Sequence, residues 1–447
     1  MNKYLILILT AMFGFLGASA QPQLSLSDAL QIGLSNNFDI RIEKVNQEIA
    51  RNNNNWGEAG RYPTLNIGLG QNNTITDIDN PASFLQGQIR ANDLNPTVGG
   101  RWTIFNGFAV NINKKRLELL ESQSDGNAQI VIENAVQALV VAYYTVLLEQ
   151  ERLEVLEEVL TLSRDRYNLV LIRQDIGSVV TFDILQDKDS YLTDSSNYVL
   201  QQLVYENAMR DLNLLLAEDL TNRYTLTETL DHPTKNYNYQ DLFDRMTESN
   251  SNLRNQFIHQ ELLKNSTALS KAERSPALDF NFGYSYNKNW QDLSKANFGN
   301  ESGPESVIKS STTNYYANFT LAFTLFDGGR IKRQIKNARI QETMGNLETE
   351  ELKLVLNNDL LSALDRYNVR KKLLQISNES LENASLNLDL SEERYKNGTI
   401  NSFNYRDIQV NYLQAALRNL QSKFDLIQTD TELLRLTGGI LNSYQSQ

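Results

Sequence analysis

Cysteine is absent from the chain, and its two histidines, His232 and His259, have no companion histidine at ligand spacing. This removes disulfides, thiolate chemistry, cysteine zinc sites and a lipidated N-terminal cysteine, and it leaves no metal site to expect. No glycine-rich phosphate loop and no nucleophile constellation occurs, so neither an enzymatic role nor a cofactor is expected, and any driving energy must come from a partner. A formal net charge of −12 argues against nucleic acid, which needs a basic face. Two basic clusters stand out, Lys114-Lys115-Arg116 and Arg330 with Lys332, Arg333 and Lys336. Both fall where helices are expected to start, and cations there oppose the helix dipole. Inner-leaflet lipid phosphates are the natural compensating partner, and a solvated helix face is the plainer alternative.

The elements that carry these residues begin after a targeting segment. Lys3, the apolar run from Tyr4 to Leu16 and the small residues Ala18-Ser19-Ala20 read as a signal peptide over residues 1–20, so the mature chain is expected to begin near Gln21, outside the cytoplasm. No later run of 18 or more apolar residues is present, which argues against a helix across the inner membrane. A membrane segment would have to be made of strands. The chain's seven prolines leave room for long unbroken helices.

The sequence is internally duplicated. Ser35 to Arg41 aligns with Glu248 to Arg254, and Pro63-Thr64-Leu65 with Pro276-Ala277-Leu278, at an offset of 213. Trp102 to Gly107 aligns with Phe323 to Gly328 at 221, an offset that still holds for Gly177 with Gly398 and Phe182 with Phe403. The difference places an eight-residue insertion between Gly283 and Phe323. The repeats are read as 21–238 and 239–447.

Each repeat opens with a helical segment, Ser27 to about Ala59 and Gln240 to about Arg274, closed by a proline. Strand pairs follow: Leu278, Phe280, Phe282, Tyr284 and Tyr286 alternate with polar residues, as do Tyr315, Ala317, Phe319, Leu321 and Phe323. Two strands are not stable alone, and four are too few to close a membrane barrel. Subunits must therefore pool strands, and three subunits of four strands would close a twelve-stranded transmembrane β-barrel. The polar stretches Gln71 to Asn95 and Lys288 to Thr313 are expected as external loops.

After strand-to-helix turns at Gly107 and Gly328, 70 residues without proline run to Gly177 and Gly398. Leu360, Tyr367, Leu374, Leu381, Leu388 and Tyr395 recur every seven residues, matched by Leu139, Val146, Leu153, Leu160 and Tyr167, which is coiled-coil packing. Such a helix would be ~105 Å long, enough to cross much of a periplasm. Hairpin turns at Gly177 and Gly398 lead into return helices of matched length, ending near Ala217 and Gly438-Gly439. A secreted or periplasmic coiled-coil rod, structural or adhesive and without a duct, is the alternative. It would explain the helices and leave the strand pairs unexplained.

Leu34-Ser35-Asn36-Asn37, Pro63-Thr64-Leu65, Phe105-Asn106-Gly107, Phe326-Asp327-Gly328 and Arg394-Tyr395-Lys396-Asn397-Gly398 together resemble the TolC-like family of outer-membrane efflux proteins, over nearly the whole mature chain. The resemblance implies a mainly α fold, a homotrimer with an α-helical barrel below an outer-membrane β-barrel, extending into the periplasm. It further implies a collar formed by the N-terminal segment, the linker from about Glu218 to Asn238 and a short C-terminal tail. The implied function is that of a passive duct for efflux or secretion, joined through a periplasmic adaptor to an inner-membrane pump, in contact with outer-membrane lipid. At the periplasmic tip the family pattern maps gate residues onto Asp183 and Tyr395, whose hydroxyl is expected to bond Asp183. The family's gate arginine falls on Ile400, and its two bore carboxylates fall on Asn404 and Asp407. One salt link and one acidic ring are thus expected to be missing. Asp and Asn near a helix start are often caps, so Asp183 can equally be one; Asp407, too far into its helix to cap it, has a solvated face as its alternative, and Tyr395, which continues the heptad series, has simple packing. The exported substrate is not legible.

Overall fold

The computed structural model describes residues 22–175, 177, 179–299, 301–302 and 307–445; the signal peptide read over 1–20 and the mature start near Gln21 lie outside them. In chain order the elements are β1 (Gln23–Leu24), α1 (Leu26–Asn36), α2 (Phe38–Asn53), β2 (Thr64–Ile78), β3 (Leu85–Asn106), α3 (Ala109–Asp175), α4 (Thr181–Leu216), β4 (Thr225–Leu226), α5 (Tyr239–Ser249), α6 (Ser251–Ala272), β5 (Ala277–Phe298), β6 (Glu301–Ser302), β7 (Ile308–Ala322), α7 (Arg330–Lys396), α8 (Ser402–Leu436) and α9 (Ile440–Gln445). They form two compact units, one of Gln47–Asp125 and Gln256–Thr349, the other of the remaining segments.

The duplication is visible in the geometry. The helices α3 and α7 are both 67 residues long, and their ends correspond at the offset of 221. The hairpin pairs Thr64↔Arg101 and Ile78↔Gly87 recur as Ala277↔Ala322 and Gln291↔Ile308, shifted by 213 on the first strand and 221 on the second. The insertion therefore falls at the tip of the second hairpin, where added length disturbs no pairing.

Two sequence expectations change. The opening helix of each repeat is broken, at Asn37 and at Asn250, residues 213 apart. In each, the side-chain oxygen accepts a backbone N–H of the next helix, from Ile40 at 3.2 Å and from Leu253 at 3.0 Å, so the asparagine caps a new helix and turns the chain. The stretches expected as loops are mostly strand: β2 and β3 stay paired from Thr64↔Arg101 to Ile78↔Gly87. Their side chains are polar, but the backbone groups of a hairpin are satisfied by the ladder regardless of side-chain polarity.

In the unit containing the return helices, the N-terminal segment, the linker and the C-terminal tail share one core. Leu24, Leu30, Leu226, Leu230 and Ile440 pack with Leu139, Tyr143 and Val146 of α3 and Leu212 of α4. This core explains a stretch of α3 that is apolar and long enough by composition to cross a membrane: 44 % of it is buried inside the protein. The linker is held to α8 by Asp430, only 1 % exposed, which accepts hydrogen bonds from Tyr237 (2.5 Å) and Lys235 (3.1 Å) and pairs with His232 (2.9 Å).

Candidate functional site

At the hairpin turns, Gly177 and Gly398 adopt left-handed φ of 74° and 70°, a conformation that glycine takes without strain. Each turn reverses a long helix into its return helix. Asn401 caps α8, its side chain accepting the Asn404 N–H at 2.8 Å. The cap is thus three residues before Asn404, which is itself exposed. Asp183 lies in the first turn of α4, whose N-cap, Val180, makes no side-chain cap. Its charge there suits the helix dipole. Asp407 is exposed on the stripe Asn404, Asp407 and Asn411, and accepts a long hydrogen bond of 3.4 Å from Asn411.

Tyr395 packs, the alternative its place in the heptad series left open. Its ring is buried, stacked on Tyr405 at 4.8 Å and covered by the Arg173 guanidinium at 5.0 Å. Its hydroxyl is buried and makes no hydrogen bond among the described residues, so the expected link to Asp183 is not formed. Burial raises the Tyr395 pKa and the Asp187 carboxylate adds to this, while Ser402 opposes it from beyond true hydrogen-bond geometry. The acid that faces this tyrosine is thus one helical turn beyond Asp183.

Asp187 belongs to a buried polar cluster that joins three helices. Arg166 of α3, its side chain fully buried, places Nε 3.0 Å from Asp187 Oδ1 of α4, off the hydrogen-bond line, and donates from Nη1 to Gln409 Oε1 of α8 at 2.8 Å. Ser402 of α8 donates to Asp187 at 2.5 Å. Two turns further along, Arg406 of α8 grips Asp194 of α4 in a two-pronged pair, 2.6 and 2.8 Å. Burial pushes the Asp187 carboxyl above its ordinary range, with Ser402 and Arg166 offsetting part of the rise, and pulls Arg166 down from its own. Ile400, the position where a gate arginine was missing, packs with Leu388, Tyr395 and Tyr405 in an apolar cluster. The lost salt link therefore has a counterpart within the subunit, at positions that motif alignment did not reach. A signal was present: Asp187 and Asp194 are seven apart, on one face of α4, and Arg166 directly precedes Tyr167 of the α3 heptad series.

The four long strands lie in the order β2-β3-β5-β7, with the two-residue β6 paired to the end of β5, and both β2 and β7 lack a partner on one side among the described residues. The register sorts side chains into two faces, since directly opposite residues point the same way. One face carries Leu65 opposite Gly100, Ile67 opposite Val98, Trp102 opposite Phe280, Phe280 opposite Phe319, and Tyr284 opposite Tyr315. The other carries Asn66, Arg101, Asp279, Asn281, Ser285, Asn318 and Thr320, with Arg101 bonded to Asp279 at 2.9 Å. From Leu278 to Tyr286 the apolar face spans ~26 Å along the strand, close to the apolar band of an outer-membrane barrel, about 25 Å.

Residues 29–218 and 242–439 match the family model for outer membrane efflux proteins. The chain belongs to the outer membrane efflux protein family. It is an outer-membrane channel subunit, and the rod alternative has no place for its one-sided apolar sheet. By structure this efflux protein resembles the outer-membrane channel OprN (TM-score 0.72, 16 % identity, 93 % of this chain and 90 % of that one). It also resembles the Campylobacter jejuni CmeC outer membrane channel (0.73, 15 %, 93 % and 86 %) and the open state of the Neisseria gonorrhoeae MtrE outer membrane channel (0.70, 15 %, 93 % and 89 %). At these identities the likeness is one of fold. No curated protein matches by sequence.

The basic cluster at the start of α7 is also accounted for. Asp327 accepts the N–H groups of Gly329, Arg330 and Ile331 at 2.8 to 3.0 Å, and the bond from Ile331 chiefly holds its carboxyl below the usual range. The helix dipole is thus compensated within the chain, and lipid is not needed for that purpose. In the first cluster, Lys114 and Lys115 both pair with Glu118.

Proposed function

We propose that three copies of this efflux protein pool their strands into one twelve-stranded barrel that opens the outer membrane, and pool their helices into a periplasmic tunnel. The observation that carries this reading is a sheet of four long strands, β2, β3, β5 and β7, apolar on one face and polar on the other, with both outer edges unpaired among the described residues. In lipid an open edge leaves backbone groups without partners, so closure must come from other copies. The helices point the same way: α4 exposes Phe182, Leu185, Leu192, Val199 and Leu203 along one stripe, suited to a neighbouring subunit. The two structural repeats, 21–238 and 239–447, each supply one strand hairpin and one helical hairpin. The duct is passive, and a periplasmic adaptor and an inner-membrane pump supply energy and cargo.

At the tip, Asp183, Tyr395, Asn404 and Asp407 stand near the narrow end, and in the trimer Asp407 supplies three carboxylates around the bore. The buried cluster of Arg166, Asp187, Gln409, Ser402, Arg406 and Asp194 latches the first hairpin to the second within each subunit. Purified protein reconstituted in a planar bilayer is expected to form heat-resistant trimers with discrete conductance steps. A monomer that is released from membranes by carbonate and conducts nothing would sink the reading.

A further inference from the structure

The outward face of the sheet changes character above its apolar rows. Beyond Tyr284, Tyr315 and Tyr286, the next positions on the same face of β5 are Lys288, opposite Leu94 and Ser311, and Trp290, opposite Asn92 and Lys309. Because side chains alternate along a strand, Lys288 and Lys309 leave the sheet on the face of the apolar band. They are diagonal neighbours across β5 and β7, roughly 7–8 Å apart at the backbone. The Lys288 ammonium lies 5.0 Å from the Trp290 ring centroid. No carboxylate forms an ion pair with either lysine among the described residues. The acids on this face stand higher, Asp292 opposite Arg90 and Asp77 opposite Gln88.

Two ammonium groups with no ion-paired acid among the described residues, set around an indole in the two rows above Tyr286, occupy the headgroup level of a membrane. This rim is at the hairpin end of the strands, remote from Gly107 and Gly328, where the helices begin. With the helices in the periplasm, the hairpin end faces the outer leaflet. We propose that Lys288 and Lys309 bind the phosphate of an outer-leaflet glycolipid, with Trp290 set against its sugar. The site rests on the barrel reading above. It would give each subunit a lipid clamp on the second hairpin only, because the first hairpin carries Ile75 and Gln88 where the second carries Lys288 and Lys309, after the shifts of 213 and 221.

The test uses detergent-purified trimers stripped of lipid, with bound molecules counted by native mass spectrometry. Four probes are titrated: a diphosphorylated lipid A, the same lipid dephosphorylated, phosphatidylglycerol and inorganic phosphate. Wild type is expected to take up to three diphosphorylated glycolipids per trimer and to prefer them to the other three probes. The double variant Lys288→Gln/Lys309→Gln should bind them about thirty-fold more weakly, whereas Lys332→Gln/Lys336→Gln should bind as wild type. Equal binding by the Lys288/Lys309 variant, or by the dephosphorylated lipid, would overturn the proposal, as would equal binding of phosphatidylglycerol or competition by inorganic phosphate alone. Failure to form trimers at all would overturn the barrel reading and the proposal with it. Trimers that bind lipid regardless of these lysines would overturn the proposal alone.

Discussion

Replacing Arg166 by Met is the most direct probe of the latch. The Arg166 side chain is fully buried, 3.0 Å from Asp187 and 2.8 Å from Gln409. A methionine of similar length removes the charge, strands Asp187 with Ser402 as its remaining donor, and leaves Gln409 Oε1 without its partner. Breaking one side of a buried ion pair costs about 3–5 kcal/mol. The lower figure applies here, because burial already raises the Asp187 pKa and a proton can neutralise the stranded acid. About 3 kcal/mol corresponds to roughly a hundredfold shift in local opening. Hydrogen exchange of amides in the first turns of α4 and α8 should therefore quicken about a hundredfold in Arg166→Met. The double variant Arg166→Met/Asp187→Leu leaves no stranded charge and should recover most of that protection, since apolar replacement of a buried pair is often neutral. Unchanged exchange in the single variant, or equal damage in the double, would refute the latch.

Four further outcomes are expected. Asp407→Asn should weaken both cation selectivity and block by a trivalent cation from the periplasmic side in single-channel recording, while Asp425→Asn, whose carboxylate is already engaged by Gln421 at 2.6 Å, should change them little. Tyr395→Phe should leave conductance and thermal stability nearly unchanged, because the hydroxyl it removes has no hydrogen bond to lose; a marked rise in conductance would show that it bonds in the trimer. Phe282→Lys on the apolar face should cost about 2–4 kcal/mol and depress trimer yield, whereas Asn281→Lys on the polar face should assemble normally. The collar should be acid-sensitive through Asp430: burial raises its pKa, but bonds from His232, Tyr237 and Lys235 outweigh this, and the net shift is downward. A lowered folded pKa gives stability that is complete above the unfolded value, about 4, and lost as pH falls through the folded one. Circular dichroism melts should thus drop below about pH 4, and less steeply in Asp430→Asn.

Much of this architecture was legible from one sequence because it repeats. Two copies of the same spacing located the strand pairs, the turns at Gly107, Gly177, Gly328 and Gly398 and the equal long helices, since helix length and strand alternation follow from local periodicity. The insertion could be assigned to the second hairpin on the same basis. Strand ends were not legible: polar residues above the apolar band look like loop, yet the ladder keeps them paired to Ile78↔Gly87. Nor were the helix breaks at Asn37 and Asn250, where a side chain captures backbone groups that a continuous helix would have used.

Local sequence determined which residues could be charged, apolar or turning, and the periods that sort them into faces. Only the tertiary structure decided which charges meet. Asp183 and Tyr395 were matched by position along the chain, but among the described residues the tyrosine hydroxyl is left unbonded, and the ion pairs go to Arg166 with Asp187 and Arg406 with Asp194. The reason is physical: a partner across two helical hairpins is set by how the helices are rotated and stacked against one another. Rotation by a single residue, about 100°, carries a side chain from the packed face to solvent. That rotation is fixed by the packing of Leu162 and Leu169 of the first hairpin against Leu388, Tyr395 and Tyr405 of the second, a long-range contact that no spacing within either hairpin encodes.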